Sequence, residues 1–517
     1  MPTQPRENPF RARATTAVAC LLVAAVTSCS VPGSGGTPAG TEGSRGPAAG
    51  SASPAPGGAV AAAVAGPTAV LDAVQPADLA AALSEHLLQR SGSVVVTADD
   101  PRSVLGAATV AAQDGVPLLL PGPAAAAEVR RLGAGTVLTV GQAARTWAEQ
   151  EFTGPGAPDV EDAEAPGRAP DTSDGPARDV VVLTTGAPPD RPAAASAEAL
   201  GARVVVVPGG DPRAHPAAVE ALHAAGAGHV VALGPAFGPP EVLQHRVAVA
   251  RTGVQVPGGG QLPLADRRLV ALYGHPGAPS LGVLGEQSME ATLDRARENA
   301  ARYEGLDGLP PVPALEVITT IASGEPGADG DHSLETDPAE LEPWVDAAEA
   351  AGIAVLLDLQ PGRADFLTQA QRYESLLRRP HVGLALDPEW RLAPGQVHLE
   401  QIGSVSAEEV NRVGDWLADL VRRHDLPQKV LLLHQFRTSM VRDRPLVDTG
   451  RDELVVLVHA DGHGTPELKR ATYENLTAGA SPDLRWGWKN FLDEDRPTFT
   501  PEQTVAVDPS PVFVSYQ

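Results

Sequence analysis

Between residues 269 and 516 one pattern recurs eight times: a short apolar run of strand length, in most cases followed by a stretch with helical spacing. The apolar runs are 269–273, 315–321, 354–359, 382–386, 429–433, 454–458, 485–491 and 512–516, and the helical stretches are 288–303, 338–351, 365–377, 407–423 and 466–476. Runs that are apolar without alternation belong to strands covered on both faces, the condition of a parallel sheet. Eight such units in about 250 residues have the length and rhythm of a (β/α)8 barrel. A doubly wound open sheet shares the rhythm and is the alternative. Two places fit a barrel poorly: the helical pattern is weak between 437 and 452, and nothing follows the eighth run.

Barrel sites form at the C-terminal ends of the strands. Here those ends carry Tyr273 with His275 and Glu286, Asp358, Asp387-Pro388-Glu389-Trp390, His434-Gln435, His459 with Asp461 and His463, and Trp488-Lys489. Side chains alternate along a strand, so Asp387 and Glu389 face the same way if the backbone stays extended, and Pro388 favours extension at Asp387. Buried charge is costly, so acids at several strand ends on one side point to a site. Paired carboxylates beside aromatics suit glycoside hydrolysis, in which one acid protonates the leaving oxygen and another attacks, activates water or steadies the substrate. Asp358 is an alternative base or stabiliser, and ion pairing with Lys489 is its structural alternative. Tyr273, Trp390 and Trp488 are expected along the sugar path, with His275, Glu286, His434, Gln435, His459, Asp461 and Lys489 as further substrate contacts. His459, Asp461 and His463 with His434 and Asp358 could ligate a divalent ion, but Gly462 and the strand context argue against one helical face, and no metal is assigned. No cofactor is expected. The chain has no G-x-S-x-G elbow and no full G-x-G-x-x-G after a strand, so neither a serine hydrolase nor a dinucleotide enzyme is indicated.

The rest of the 517-residue chain divides by composition. Arg6, Arg11 and Arg13 precede an apolar run at 14–26 that is too short to span a membrane, so residues 1–29 read as a signal peptide. Residues 30–67 are rich in Gly, Ser, Pro and Ala and should be a disordered tether. Residues 68–250 contain strand-helix-strand-helix-strand twice, around a Pro- and acid-rich insertion at about 152–178 expected to be disordered. A linker at 251–267 leads to the barrel at 268–517. The excess of 64 acidic over 39 basic residues argues against nucleic acid or an anionic membrane surface as partner.

Four resemblances add to this. Val26-Thr27-Ser28-Cys29 resembles a bacterial lipobox, which implies lipid on Cys29, extracytoplasmic location and a membrane contact through that lipid alone. Cys20 would leave with the signal, so the mature chain could form no internal disulfide. The segments 94–122 and 133–142, and more weakly 180–186, 201–210 and 226–235, resemble cell-wall-binding repeat type 2, although Gln142 and Pro235 replace the second glycine of its closing turn. Asp387-Pro388-Glu389 resembles the D-x-E at the fourth strand end of chitinase-like and Chalaropsis-lysozyme-like glycosidases. That match implies Glu389 as general acid and Asp387 as its support. The longer D-x-x-D-x-D-x-E pattern is absent, with Gly383 and Ala385 at its alternate positions. The segments LYGHPG, LDLQPGRADFLTQAQRYE, LALDPEWRL and GWKNF resemble an actinobacterial secreted lipoprotein family, which implies fold and location but no activity. Together these give a lipid-anchored, glycoside-hydrolase-like protein that acts on or binds cell-envelope or extracellular polysaccharide. A catalytically inactive wall-binding lipoprotein and a metal-dependent hydrolase are the alternatives.

Overall fold

The computed structural model describes residues 58–63, 66–164, 171–226 and 228–517. The expected signal peptide, Cys29 and most of the tether lie outside them.

All eight expected barrel strands form, at Arg268–Gly274, Pro311–Ala322, Ala354–Leu359, Val382–Leu386, Lys429–Gln435, Leu454–Ala460, Arg485–Asn490 and Phe513–Tyr516. Each pairs in parallel with the next, and the first pairs with the eighth, so the sheet closes and the open-sheet alternative fails. The two-residue period sorts the side chains. Leu269, Ala271, Ala314, Leu356, Ala385, Leu432, Leu457 and Phe513 fill the lower interior. Val270, Leu315, Val355, Leu384, Leu431, Val456, Trp488 and Val514 face outward to the helices. Val382–Leu386 is buried on both faces, which explains why its sequence shows no alternation.

The helices between strands follow local rules. Asp337, Asp365, Ser406 and Thr465 cap their helices by accepting from backbone N–H groups of the first turn. Between the fifth and sixth strands no α-helix forms. Two short 3-10 turns, Thr438–Met440 and Arg444–Leu446, take its place around a two-residue strand, Val441–Arg442, that pairs with Val405–Ser406. The eighth strand is covered from the first helical layer, where the hydroxyls of Tyr303 and Tyr516 meet at 2.6 Å.

Ahead of the barrel stand two four-stranded parallel sheets. One runs Leu118–Leu119, Ser93–Thr97, Thr136–Val140, Asp159–Asp162, and the other Arg203–Val206, Val180–Thr184, His229–Leu233, Thr68–Leu71. In both, the three repeated strands take the order second, first, third, and a fourth strand lies against the third. Asp159–Asp162 therefore corrects the expectation that 152–178 is without structure: its backbone extends the sheet, with the acids on an exposed edge and Asp162 paired to Arg145. The second sheet takes its fourth strand from the far N-terminal side, at Thr68–Leu71. Residues 58–63 also hold a short strand, Val60–Ala61, antiparallel to Leu88–Arg90, inside the stretch expected to be tether.

These sheets meet the barrel at its lower end. Arg213, 1% exposed, reaches Asp452 at 2.9 Å and Arg246 reaches it at 2.6 Å, just before the sixth strand begins. Gln428, just before the fifth strand, donates its N–H to the Gln261 carbonyl. The C-terminal mouth of the barrel is on the opposite side.

Candidate functional site at the barrel mouth

Above its apolar floor the barrel interior turns polar. The same inward-facing rows that carry Ala271, Ala314, Leu356, Ala385, Leu432 and Leu457 continue two residues later with Tyr273, Glu316, Asp358, Asp387, His434 and His459. Asp461 and Lys489 complete the set, and all eight side chains are buried. Above them opens a cavity of about 710 Å³. Asp387, Glu389, Asp461, Lys489 and Arg437 supply its charged groups, with Tyr273, Trp390, Phe436 and Phe491 as its aromatics.

His434 is the hub. Its Nδ1 lies 3.0 Å from Asp461 Oδ2, its Nε2 lies 3.0 Å from Glu316 Oε1, and Asp358 Oδ1 is 3.7 Å from Nε2. Burial opposes a charge on this ring, but Glu316, Asp358 and Asp387 outweigh it and hold the proton affinity well above the ordinary value. His459 sits beside it at 5.2 Å between ring centroids, with Nε2 2.8 Å from Ser515 Oγ. Burial, then the charges of His434 and Lys489, push His459 well below its ordinary value, so it stays neutral. Tyr273 donates its hydroxyl to Asp358 at 2.9 Å. The Lys489 ammonium lies over the Tyr273 ring, 3.5 Å from its centroid.

The carboxyls differ in state. Burial raises Asp358 to about 6 against the pull of His434, and Glu316 adds to the rise. Burial raises Asp387 well above its ordinary value against the pull of His434, and Glu389, Asp358 and Asp461 add to the rise. Asp387 Oδ1 has no hydrogen-bond partner. Glu389 is half-buried at the rim, and burial followed by the charge of Asp461 pushes it up to about 7. Asp461 goes the other way: burial raises it, but the hydrogen bond and charge of His434, with Lys489, hold it below the usual carboxylate range. One acid that keeps its proton near neutrality thus shares a cavity with one that does not, a division of roles suited to acid-assisted cleavage.

Several expected contacts fall elsewhere. Asp358 lies below the cavity rather than on its wall, engaged by Tyr273, and does not pair with Lys489, whose ammonium has no carboxylate within 4.0 Å among the described residues. Trp488 points outward by strand alternation and packs between Tyr473 and Phe499, with Nε1 donating to Asn490. Gln435 is outward for the same reason and holds Arg444 and the Arg437 carbonyl. Glu286 pairs with Arg295 at 2.6 Å, and His275 meets Thr336 at 3.0 Å; neither lines the cavity. His434 and His459 lie beneath the cavity floor. Sequence reasoning missed Glu316, although a lone acid inside the apolar run Leu315–Ile321 is the signal that marks it. Phe491 and Gln360, which donates to the Tyr273 hydroxyl at 3.3 Å, were also unassigned.

No protein-family model matches the chain. No curated protein matches it either. Among solved structures, Cwp6 from Clostridium difficile is 12% identical over 56% of this chain and 62% of its own, with a TM-score of 0.28. The xylanase and alpha-amylase inhibitor protein XAIP-II from Scadoxus multiflorus is 12% identical over 48% of this chain and 92% of its own, with a TM-score of 0.28. D-psicose 3-epimerase in the presence of D-fructose is 12% identical over 48% of this chain and 84% of its own, with a TM-score of 0.26. Likeness at this level carries no argument about function, so the function rests on the site itself.

Proposed function

We propose that the barrel mouth is the active site of a glycoside hydrolase, with Glu389 as the proton donor to the leaving oxygen. The observation that carries this reading is one cavity holding a rim carboxyl raised to about 7 and a second, Asp461, held ionised beneath it. Asp461 takes the part of the charged carboxylate that steadies the developing positive charge on the sugar ring or directs its attacker. Asp387, two residues before Glu389, is itself raised well above its ordinary value, with the Glu389 charge among the causes, so it stands beside the donor as a second carboxyl that favours its proton. Trp390 and Phe436 line the cavity and supply aromatic surface for the apolar side of a sugar.

The inactive-binder alternative predicts acids locked by Lys489 or Arg437. Neither cation forms an ion pair among the described residues, which favours turnover. The polysaccharide we propose is one of the cell envelope, reached by a protein held on the membrane through lipid at Cys29. With the paired sheets at the lower end of the barrel, the mouth is left open to it. The test is hydrolysis of a panel of envelope and extracellular glycans by the purified chain. Glu389→Gln should cut release of reducing ends by about 10²–10⁴-fold while keeping glycan binding; hydrolysis at the wild-type rate by that variant overturns the assignment. Release of Cys29→Ala from the membrane fraction checks the anchor, and its retention there contradicts it.

A further inference from the structure

Five buried polar atoms without a hydrogen-bond partner gather around His434: Asp387 Oδ1, Asp461 Oδ1, Asp358 Oδ1, Glu316 Oε2 and His459 Nδ1. Unpaired buried acceptors are rare, because each forfeits its hydration for nothing in return. Their concentration in one place calls for a positive partner. Four buried carboxyls and Glu389 share this interior with Lys489, whose ammonium lies over the Tyr273 ring and forms no ion pair among the described residues, and with the single ring of His434.

We infer that Asp387, His434 and Asp461 form a binding site for one divalent transition-metal ion, Zn²⁺ or Mn²⁺, at the floor of the cavity. One donor atom from each of the three lies within 4.8 Å of the others. His434 Nδ1 and Asp461 Oδ2 are 3.0 Å apart across a hydrogen bond; ligands about 2.1 Å from a tetrahedral ion stand about 3.4 Å apart, so an ion needs the pair to open by only a few tenths of an ångström. Asp387 is 2% exposed, and its unpartnered Oδ1 is left free to ligate. Behind the ring, Nε2–H donates to Glu316 Oε1 at 3.0 Å, which fixes the tautomer that presents the Nδ1 lone pair to an ion. Glu316 is thus a positioning residue, and its place in an otherwise apolar strand has a reason. When no ion is bound, a proton on Nδ1 takes its place. Asp387 and Asp461 line the cavity, so remaining coordination positions face solvent or substrate. A second trio, Glu316, His434 and His459, lies deeper; none of its members reaches the cavity, and it uses the nitrogen already committed to Glu316. One nitrogen and two oxygens suit zinc or manganese better than calcium.

This site goes beyond the glycosidase reading, in which Asp461 serves as a free carboxylate in the metal-free protein and through its bound ion when the site is filled, and it is tested without any sugar. The full chain, stripped with chelator, is titrated with Zn²⁺ and separately with Mn²⁺ by calorimetry, and the metal retained after desalting is measured. Wild-type protein should hold one equivalent of at least one of the two. Asp461→Asn and Asp387→Asn should lose it while melting cooperatively, and Glu316→Gln should weaken it by about ten- to a hundredfold. The cluster of Asp329, Asp331 and Glu335 outside the barrel mouth, of which Asp329 is exposed and the others half-buried, is the competing site, so Asp331→Asn should leave the equivalent in place. Failure of wild-type protein to hold either ion, equal retention in Asp461→Asn and Asp387→Asn, or loss in Asp331→Asn overturns the inference. Each of these results stands whether or not Glu389 proves catalytic.

Discussion

Replacing Asp387 by Asn should make the metal-free protein more stable. The carboxyl is 2% exposed, its Oδ1 has no hydrogen-bond partner, and three acids around it raise its proton affinity. An unsatisfied buried acceptor costs about 1–3 kcal/mol, and a charged one stands at the upper end. Asn keeps the shape and removes the charge, so a gain of about 2 kcal/mol is expected at pH 8. For a barrel of this size that corresponds to about 4–8 °C in Tm. The sign with pH follows from linkage. A carboxyl raised in the folded state binds more protons folded than unfolded, so wild-type stability falls as pH rises from the unfolded value through the folded one. The advantage of Asp387→Asn should therefore widen from pH 5 to pH 8. The assay is scanning calorimetry of both proteins in chelator, since a bound cation would reverse the effect. A lower Tm for the variant at pH 8 would refute the reasoning, because it would mean that the attraction of His434 outweighs burial and the three neighbouring acids.

Three further outcomes follow from the interior. A Cβ added at Gly487 would run into the His459 ring, which is confined by His434 and Phe513, so Gly487→Ala should cost about 1–3 kcal/mol in denaturant unfolding; an unchanged midpoint would contradict that packing. Trp488→Ala should cost about 3–5 kcal/mol with little change in glycan affinity, whereas Trp390→Ala should do the reverse; equal effects on both assays would undo the inward and outward assignment. Lys429 is fully buried at the lower end of the barrel, donates to the Arg379 and Val382 carbonyls, and is pulled down to about 7 by burial. A depressed lysine contributes stability above its unfolded value that is lost as pH falls through the folded one, so wild-type protein should gain about 2 kcal/mol relative to Lys429→Met between pH 7 and pH 9, and parallel stability curves would exclude it.

Much of the barrel was legible because fully buried parallel strands are apolar from end to end and helix caps are local. All eight strand positions could be read, and Asp337, Asp365 and Ser406 cap where expected helices begin. The strand Asp159–Asp162 was not legible, since its residues have weak strand preference and the neighbouring Thr136–Val140 supplies the pairing from outside the segment. At the site, Asp387, Glu389, Asp461 and Lys489 were readable as strand-end charges, and the structure brings them to one cavity. Trp488 and Gln435 were misplaced because position at a strand end fixes height along the barrel, while parity along the strand decides inward or outward. Parity was also the clue to Glu316, two positions before Ile318 on the inward row of its strand.

The central claim is that Glu389 delivers the proton to the departing sugar oxygen, and leaving-group dependence tests it most directly. Once the glycan panel identifies the sugar, kcat/KM of wild-type protein and Glu389→Gln is compared on its natural linkage and on an aryl glycoside whose leaving group needs no proton. The variant should lose about 10²–10⁴-fold on the natural linkage and little on the activated one. Equal losses on both substrates, or none on either, would contradict the assignment of Glu389 as the acid.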